Sequence, residues 1–182
     1  NPSSTSGSRK APSPHSFQDF KNINCSCRKR WLSCHLFYLA DDCKNFINRD
    51  LMRKNDYKIC FVCTGNACRS PFAEFVTKVF LNKEGLDNIQ VYSCGTLDWG
   101  ENPRDEGMCH VAKLMGYELT GVTMPMTRDL LAKADLIIVF EDKHRNEITR
   151  VLDYIQWGKI SLFNKLAFGD NKDMEDPHGL SE

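Results

Sequence analysis

Apolar positions are distributed unevenly along this chain. Residues 1–15, NPSSTSGSRKAPSPH, are rich in Ser, Pro and Gly and offer too little apolar surface to order themselves. Residues 16–57 show only a weak helical spacing, around CKNFINRDLMRKND. From residue 58 the pattern sharpens. KICFV (58–62) reads as a buried strand, and SPFAEFVTKVFLNKEG (70–85) as a helix. In that helix Phe72, Phe75, Val76, Val79 and Phe80 recur at helical spacing, and Gly85 suits its end. IQVYS (89–93) predicts a second strand, and PRDEGMCHVAKLMG (103–116) a helix opened by Pro and closed by Gly. MTRDLLAKA predicts a short helix with Thr127 as its cap. DLIIVF (135–140) is a continuous apolar run of the kind buried on both faces. KHRNEITRVLDYI (143–155) completes the helices and KISLF (159–163) the strands. Strand and helix alternate throughout, which predicts a parallel sheet covered by helices on both faces. The expected organisation is an N-terminal extension over 1–57 and one α/β domain over 58–182.

Charge changes this picture little. Lys plus Arg and Asp plus Glu both number 24, so the global balance points to no nucleic-acid partner. Residues 1–40 are nonetheless basic, with Arg9, Lys10, Lys21, Arg28, Lys29 and Arg30 against Asp19. No apolar run is long enough to span a bilayer. WLSCHLFYLA (31–40) has the outline of a signal-peptide core, diluted by Cys, His and Ser, and the acid-poor head has that of an organelle transit segment. The nine cysteines are odd in number and irregular in spacing, unlike a secreted disulfide framework. Cys60 alternates within an apolar run and Cys109 falls in a helical pattern, so both read as small buried hydrophobes. A reducing, cytoplasmic setting is expected. The head's CSC…CH…C spacing fits no common zinc site, and no metal or other cofactor is expected. His110 and His144 read as exposed helical residues.

The chemistry lies in CTGNACRS (63–70), between the first strong strand and the helix that follows it. In a parallel α/β sheet ligands bind beyond the carboxyl ends of strands, which is where this loop falls. Gly65 permits close backbone approach, and Asn66 tolerates a left-handed conformation that turns successive amides inward. Such a nest, with a helix N-terminus behind it, binds a tetrahedral anion. Arg69 adds a planar fork for two phosphate oxygens. The same groups would stabilise a thiolate at Cys63, and Ser70 could donate a hydrogen bond to its sulfur. A thiolate beneath a bound phosphoryl group is a nucleophile for phosphoryl transfer. The alternative is a core cysteine beside an ordinary Gly-Asn turn.

The loop resembles the phosphate-binding signature V-C-x-G-N-x-C-R-S-P of the low-molecular-weight protein tyrosine phosphatases. Val62, Cys63, Gly65, Asn66, Cys68, Arg69, Ser70 and Pro71 occupy every fixed position, with Thr64 and Ala67 between them. The similarity continues through YSCGTLDWGENP and ADLIIVFEDKHRNEI to EDPHG near the end. It implies a four-stranded parallel sheet in the order 2-1-3-4, with the phosphate-binding loop after the first strand. By resemblance Cys63 is the nucleophile that forms a cysteinyl-phosphate, and Arg69 binds phosphate and stabilises the transition state. Asp176, followed by Pro177, is the general acid, a role the chemistry needs because an unprotonated phenolate leaves poorly. Asn66 and Ser93 support the loop, and Cys68 either forms a protective disulfide with Cys63 or packs beneath the loop. Leu97, Asp98 and Trp99 are candidates for the substrate wall, together with His178.

Three features depart from the family pattern. His178 stands where an aromatic residue commonly follows Asp-Pro, the final helix expected of the family is missing before Glu182, and Ala67 is small. Phosphoarginine-specific relatives carry Thr at the position of Ala67 and tyrosine-specific ones generally a larger aliphatic. The resemblance therefore implies a monomeric phosphatase acting on phosphotyrosine proteins and small aryl phosphates, inhibited by phosphate or vanadate. The alternatives are an arginine phosphatase of the same fold, or a phosphate-binding module with little turnover. Arsenate reduction is disfavoured, because LIIVFEDKHRNEI lacks the further cysteines it needs.

Overall fold

The structure is a computed structural model that describes residues 56–177. Most of the expected N-terminal extension, the substrate-wall candidate His178 and the chain's last residues lie outside these. Among the described residues four strands, β1 (Tyr57–Cys63), β2 (Ile89–Gly95), β3 (Leu136–Val139) and β4 (Ile160–Leu162), alternate with five α-helices. These are α1 (Arg69–Glu84), α2 (Glu106–Leu114), α3 (Arg128–Lys133), α4 (Asp142–Val151) and α5 (Phe163–Phe168). A 3-10 turn, Tyr154–Lys159, precedes β4. The sheet is wholly parallel in the order β2-β1-β3-β4, as expected.

β1 is central because both of its faces are apolar. Alternation sends Ile59, Phe61 and Cys63 into one core with Ile89, Val91, Ile138, residues of α1 and α2, and Phe163. It sends Cys60 and Val62 into a second core with Cys94, Ile137, Val139, Leu131 of α3 and Ile148 of α4. Burying each phenylalanine of the first core is worth about 1.5–3 kcal/mol. Phe61, Phe140 and Phe163 form a stack there, with centroids 6.3 and 5.4 Å apart. The chain leaves β1 toward β2 on one side and later returns to β3 on the other. The rim above β1 is thus the point where strand order reverses.

Several expectations shift. The stripe of α1 that packs inward is Phe72, Ala73, Thr77, Phe80 and Leu81, with Phe75 and Val76 at its edge and Val79 half-buried. α2 starts at Glu106, not at Pro103, because the Asp105 carboxylate accepts the Met108 N–H and so caps it. Pro103 instead bridges to Val122. α4 stops at Val151, and β4 gives way at Phe163 to α5, which Gly169 closes at φ 71°. Thr127 caps α3 as expected, its side chain accepting from the Leu130 N–H. Cys60 is fully buried, whereas Cys109 is half-buried with its thiol toward the Leu119 carbonyl. His110 is exposed, but His144 is wholly buried, so its reading as a surface residue was wrong. No helix among the described residues is long and apolar enough to cross a membrane.

Candidate active site

Cys63 ends β1 and Arg69 opens α1, so the loop between them spans the sheet rim and a helix N-terminus. Asn66 takes φ 54°, and no other described non-glycine residue has positive φ. Neighbouring backbone fixes the loop from outside. The N–H groups of Thr96, Leu97 and Asp105 donate to the carbonyls of Cys63, Thr64 and Ala67, at 2.9, 2.8 and 3.2 Å. With those carbonyls engaged by neighbouring backbone, the loop is pinned at the sheet rim, as an anion nest there would need to be.

Beneath the nest the polar side chains are buried and paired. The Asn66 amide Nδ2 donates to Ser70 Oγ at 2.9 Å and to Ser93 Oγ at 2.8 Å. Ser93 Oγ in turn donates to Glu74 Oε2 at 2.6 Å. Ser70 Oγ lies 3.0 Å from Cys63 Sγ and 3.3 Å from the Cys94 carbonyl. Ser70 and Ser93 are thus both hydrogen-bonded to Asn66 of the loop, and Glu74 is a member of this network that sequence reading missed.

Arg69 is almost completely buried, at 1% exposure, although it carries a permanent charge. Glu141 Oε1 lies 2.7 Å from its Nη1, Asp176 Oδ2 lies 2.6 Å from its Nη2, and Nη1 donates to the Met174 carbonyl at 2.9 Å. Its guanidinium carbon stands 5.9 Å above the Phe140 ring. Arg69 Nε makes no hydrogen bond with protein, a costly arrangement that an anionic oxygen in the cup would relieve. Burial alone would raise the Glu141 carboxyl, but Lys143 and Arg69 outweigh it and hold the group below the ordinary carboxylate range. Asp176 thus reaches the same cup as Cys63, and both line one cavity with Thr64, Gly65, Ala67, Cys68, Arg69 and Trp99.

His144 joins the two halves of the site. Its Nδ1 accepts the Glu141 N–H at 3.2 Å, which places the ring proton on Nε2, 2.9 Å from Thr64 Oγ1. Burial first, and then Arg69, press its pKa down to about 4, so the ring stays neutral.

Of the described candidates for a substrate wall, Trp99 lines the cavity and Leu97 and Asp98 do not. The Trp99 ring covers Gly65 so closely that a Cβ there would come within 2.6 Å of it, so a larger residue at 65 would have to push the ring aside. Leu97 is exposed, and Asp98 turns back to accept the Gly100 N–H at 2.9 Å. Cys63 and Cys68 are both free thiols; burial and Asp105 push the Cys68 thiol well up, which keeps it protonated. Among the described residues no three His, Cys, Asp or Glu side chains gather as a metal site. The positive charge at the cup is that of Arg69.

A parallel sheet whose central strand ends in a Cys-x5-Arg anion nest, faced by a carboxylate, defines a cysteine-dependent phosphoric monoester hydrolase. Comparison with known proteins agrees. Residues 58–182 match the family described as low molecular weight phosphotyrosine protein phosphatase. The chain is 32% identical to a protein-arginine-phosphatase of Bacillus subtilis over 68% of its own length and 81% of that protein's. It is also 32% identical to a low molecular weight phosphotyrosine protein phosphatase of Schizosaccharomyces pombe, covering 70% of this chain and 83% of the other. A crystal structure of a low molecular weight phosphotyrosine phosphatase from Vibrio cholerae superimposes with a TM-score of 0.64 at 27% identity, over 69% and 82% of the two chains. The chain belongs to the low molecular weight phosphotyrosine protein phosphatase family.

Proposed function

We propose that the chain is a protein tyrosine phosphatase that works through a cysteinyl-phosphate on Cys63. The phosphoryl group of phosphotyrosine seats on the loop amides and the Arg69 fork. The Cys63 thiolate attacks phosphorus in line; the S–P bond forms as the P–O bond to the phenol breaks. Asp176 transfers its proton to the departing phenolate oxygen. As a carboxylate it then takes a proton from water, whose oxygen attacks phosphorus and expels the Cys63 thiolate. Inorganic phosphate is the product. The charge developing on the equatorial oxygens meets Arg69 and the amides, which supply electrostatic stabilisation without reorganisation.

One observation carries this reading. The Asp176 carboxylate lies 2.6 Å from the guanidinium that would hold the substrate, in the cavity that Cys63 lines. In this arrangement Asp176 occupies part of the Arg69 fork, so substrate phosphate must displace it toward the leaving oxygen. Trp99 beside the cup suits a phenyl ring. Monomeric action in the cytoplasm, with phosphate and vanadate as inhibitors, belongs to the same proposal; all five described cysteines are free thiols, which suits a reducing compartment.

The match to an arginine phosphatase gives a second reading some weight. The test compares release of phosphate from a phosphotyrosine peptide and a phosphoarginine peptide by the wild type, Cys63→Ser and Asp176→Ala. Preference for phosphotyrosine, abolished in Cys63→Ser and lowered about 10²–10⁴-fold in Asp176→Ala, supports the proposal. Preference for phosphoarginine transfers it to the second reading. Binding of vanadate without turnover of either peptide overturns both.

A further inference from the structure

We propose that Arg104 is a positioning residue for the nucleophile: by fixing the amide of Asn66, it keeps the Ser70 hydroxyl free to donate a hydrogen bond to the Cys63 sulfur. The inference rests on the reading of Cys63 as the nucleophile.

The argument runs through hydrogen-bond direction. Asn66 is wholly buried and has one accepting and one donating end. Its Oδ1 lies 2.7 Å from Arg104 Nη1 and 3.0 Å from the Met124 backbone N–H, and both of these partners can only donate. The amide therefore presents Nδ2 to Ser70 and Ser93, whose oxygens must accept. Ser93 donates its own hydrogen bond to a Glu74 oxygen, 2.6 Å away. Ser70, whose oxygen accepts from Asn66, has its proton left for Cys63 Sγ at 3.0 Å, with the Cys94 carbonyl at 3.3 Å as the longer alternative. A hydroxyl donating to the sulfur stabilises the thiolate both as attacking group and as leaving group.

Flipping the Asn66 amide would reverse this sequence. Its oxygen would then draw the Ser70 proton away from the sulfur. Two donors oppose the flip, and Arg104 is the charged one. Arg104 Nη1 also donates to the Asn66 backbone carbonyl, so one nitrogen holds both the left-handed backbone of Asn66 and its side chain. Arg104 is half-buried and its Nε has no protein partner. Burial lowers its pKa while Glu74 and Cys63 act in the opposite sense. Its place in the sequence, 41 residues beyond Cys63 and just before α2, gives no local hint of this role.

The test is a double-mutant cycle read in two ways. Arg104→Met and Arg104→Lys are measured alone and with Ser70→Ala, by p-nitrophenyl phosphate turnover and by the alkylation rate of Cys63 with iodoacetamide. Expected results are a fall in kcat of about tenfold for Arg104→Met, with the phosphate inhibition constant changed less than about twofold. Arg104→Lys, which keeps a donor, should recover most of the loss. Alkylation at mildly acidic pH should slow in parallel. In the Ser70→Ala background, Arg104→Met should add nothing to either reading. Additive effects, an unchanged kcat, or phosphate binding lost in step with turnover would each overturn the inference. Should the wild type itself fail to turn over substrate, the proposed function falls, and the alkylation cycle still decides the role of Arg104.

Discussion

Gly95 shows how a residue can matter without any chemistry of its own. A Cβ built on it would lie 2.8 Å from the Thr64 carbonyl oxygen and 2.9 Å from the Asn66 nitrogen, both backbone atoms of the phosphate loop. Backbone held on three sides cannot yield as a flexible side chain does, so Gly95→Ala should push the loop out of register with Arg69. Misplacement of about 1 Å costs roughly a hundredfold in kcat/KM, and p-nitrophenyl phosphate kinetics read this directly. An unchanged kcat/KM would show that the loop accommodates the methyl group. Gly95 was invisible in the sequence for the same reason as Arg104 and His144. Cys63 and Arg69 are legible because their chemistry is local, a strand end and a helix start joined by a motif. His144 meets Thr64 across 80 positions of sequence and Arg104 meets Asn66 across 38, so nothing near His144 in the sequence revealed that it is buried rather than on the exposed face of α4.

At the scale of elements, the segment that carries Asp176 is held by the start of α4 and by the residue that follows β3. Asp173 Oδ1 accepts the Asp142 N–H at 2.8 Å, satisfying an otherwise unpaired donor in the first turn of α4. The Met174 N–H donates to the Phe140 carbonyl at 2.7 Å, and the Met174 side chain is buried in the first core. Asp176 therefore leaves an anchored point two residues earlier. Asp173→Ala removes one anchor, worth about 1 kcal/mol at a helix start, and should lower kcat about three- to tenfold. Vanadate affinity should hold, because the anion nest does not depend on that anchor. A loss of vanadate affinity equal to the loss in kcat would show that the segment supports the nest as well. The elements themselves were largely legible: all four strands and their parallel arrangement follow from apolar runs alternating with helical spacing. The ends were not, because capping by Asp105 and the pairing of Pro103 with Val122 depend on partners the periodicity does not reveal.

For the molecule as a whole, burial of His144 links stability to pH. In an unfolded chain a histidine titrates near 6.5, and in the fold His144 is pressed down to about 4. Because the folded value is the lower one, the neutral ring's contribution is complete above the unfolded value. As pH falls from 6.5 toward 4 the unfolded chain takes up a proton that the fold refuses, and stability declines. The decline amounts to something on the order of 3 kcal/mol, a large part of a typical folding free energy. Glu141 adds to it only at the acid end, since its carboxyl is held below the ordinary range and its contribution is lost as pH falls through that lower value. Urea unfolding at a series of pH values, followed by tryptophan fluorescence, separates the two. His144→Gln keeps a donor for Thr64 but cannot titrate, so its stability should be flat where the wild type falls, and should drop only where Glu141 protonates. Parallel curves for the two proteins would mean that His144 is protonated as easily in the fold as out of it. A neutral ring also suits the proposed reaction: an imidazolium beside the Arg69–Glu141 pair would compete with Arg69 for Glu141, 3.6 Å from its Nε2, and loosen the guanidinium proposed to hold the phosphoryl group. The burial that makes the fold acid-sensitive is thus the same burial that keeps Arg69 in place.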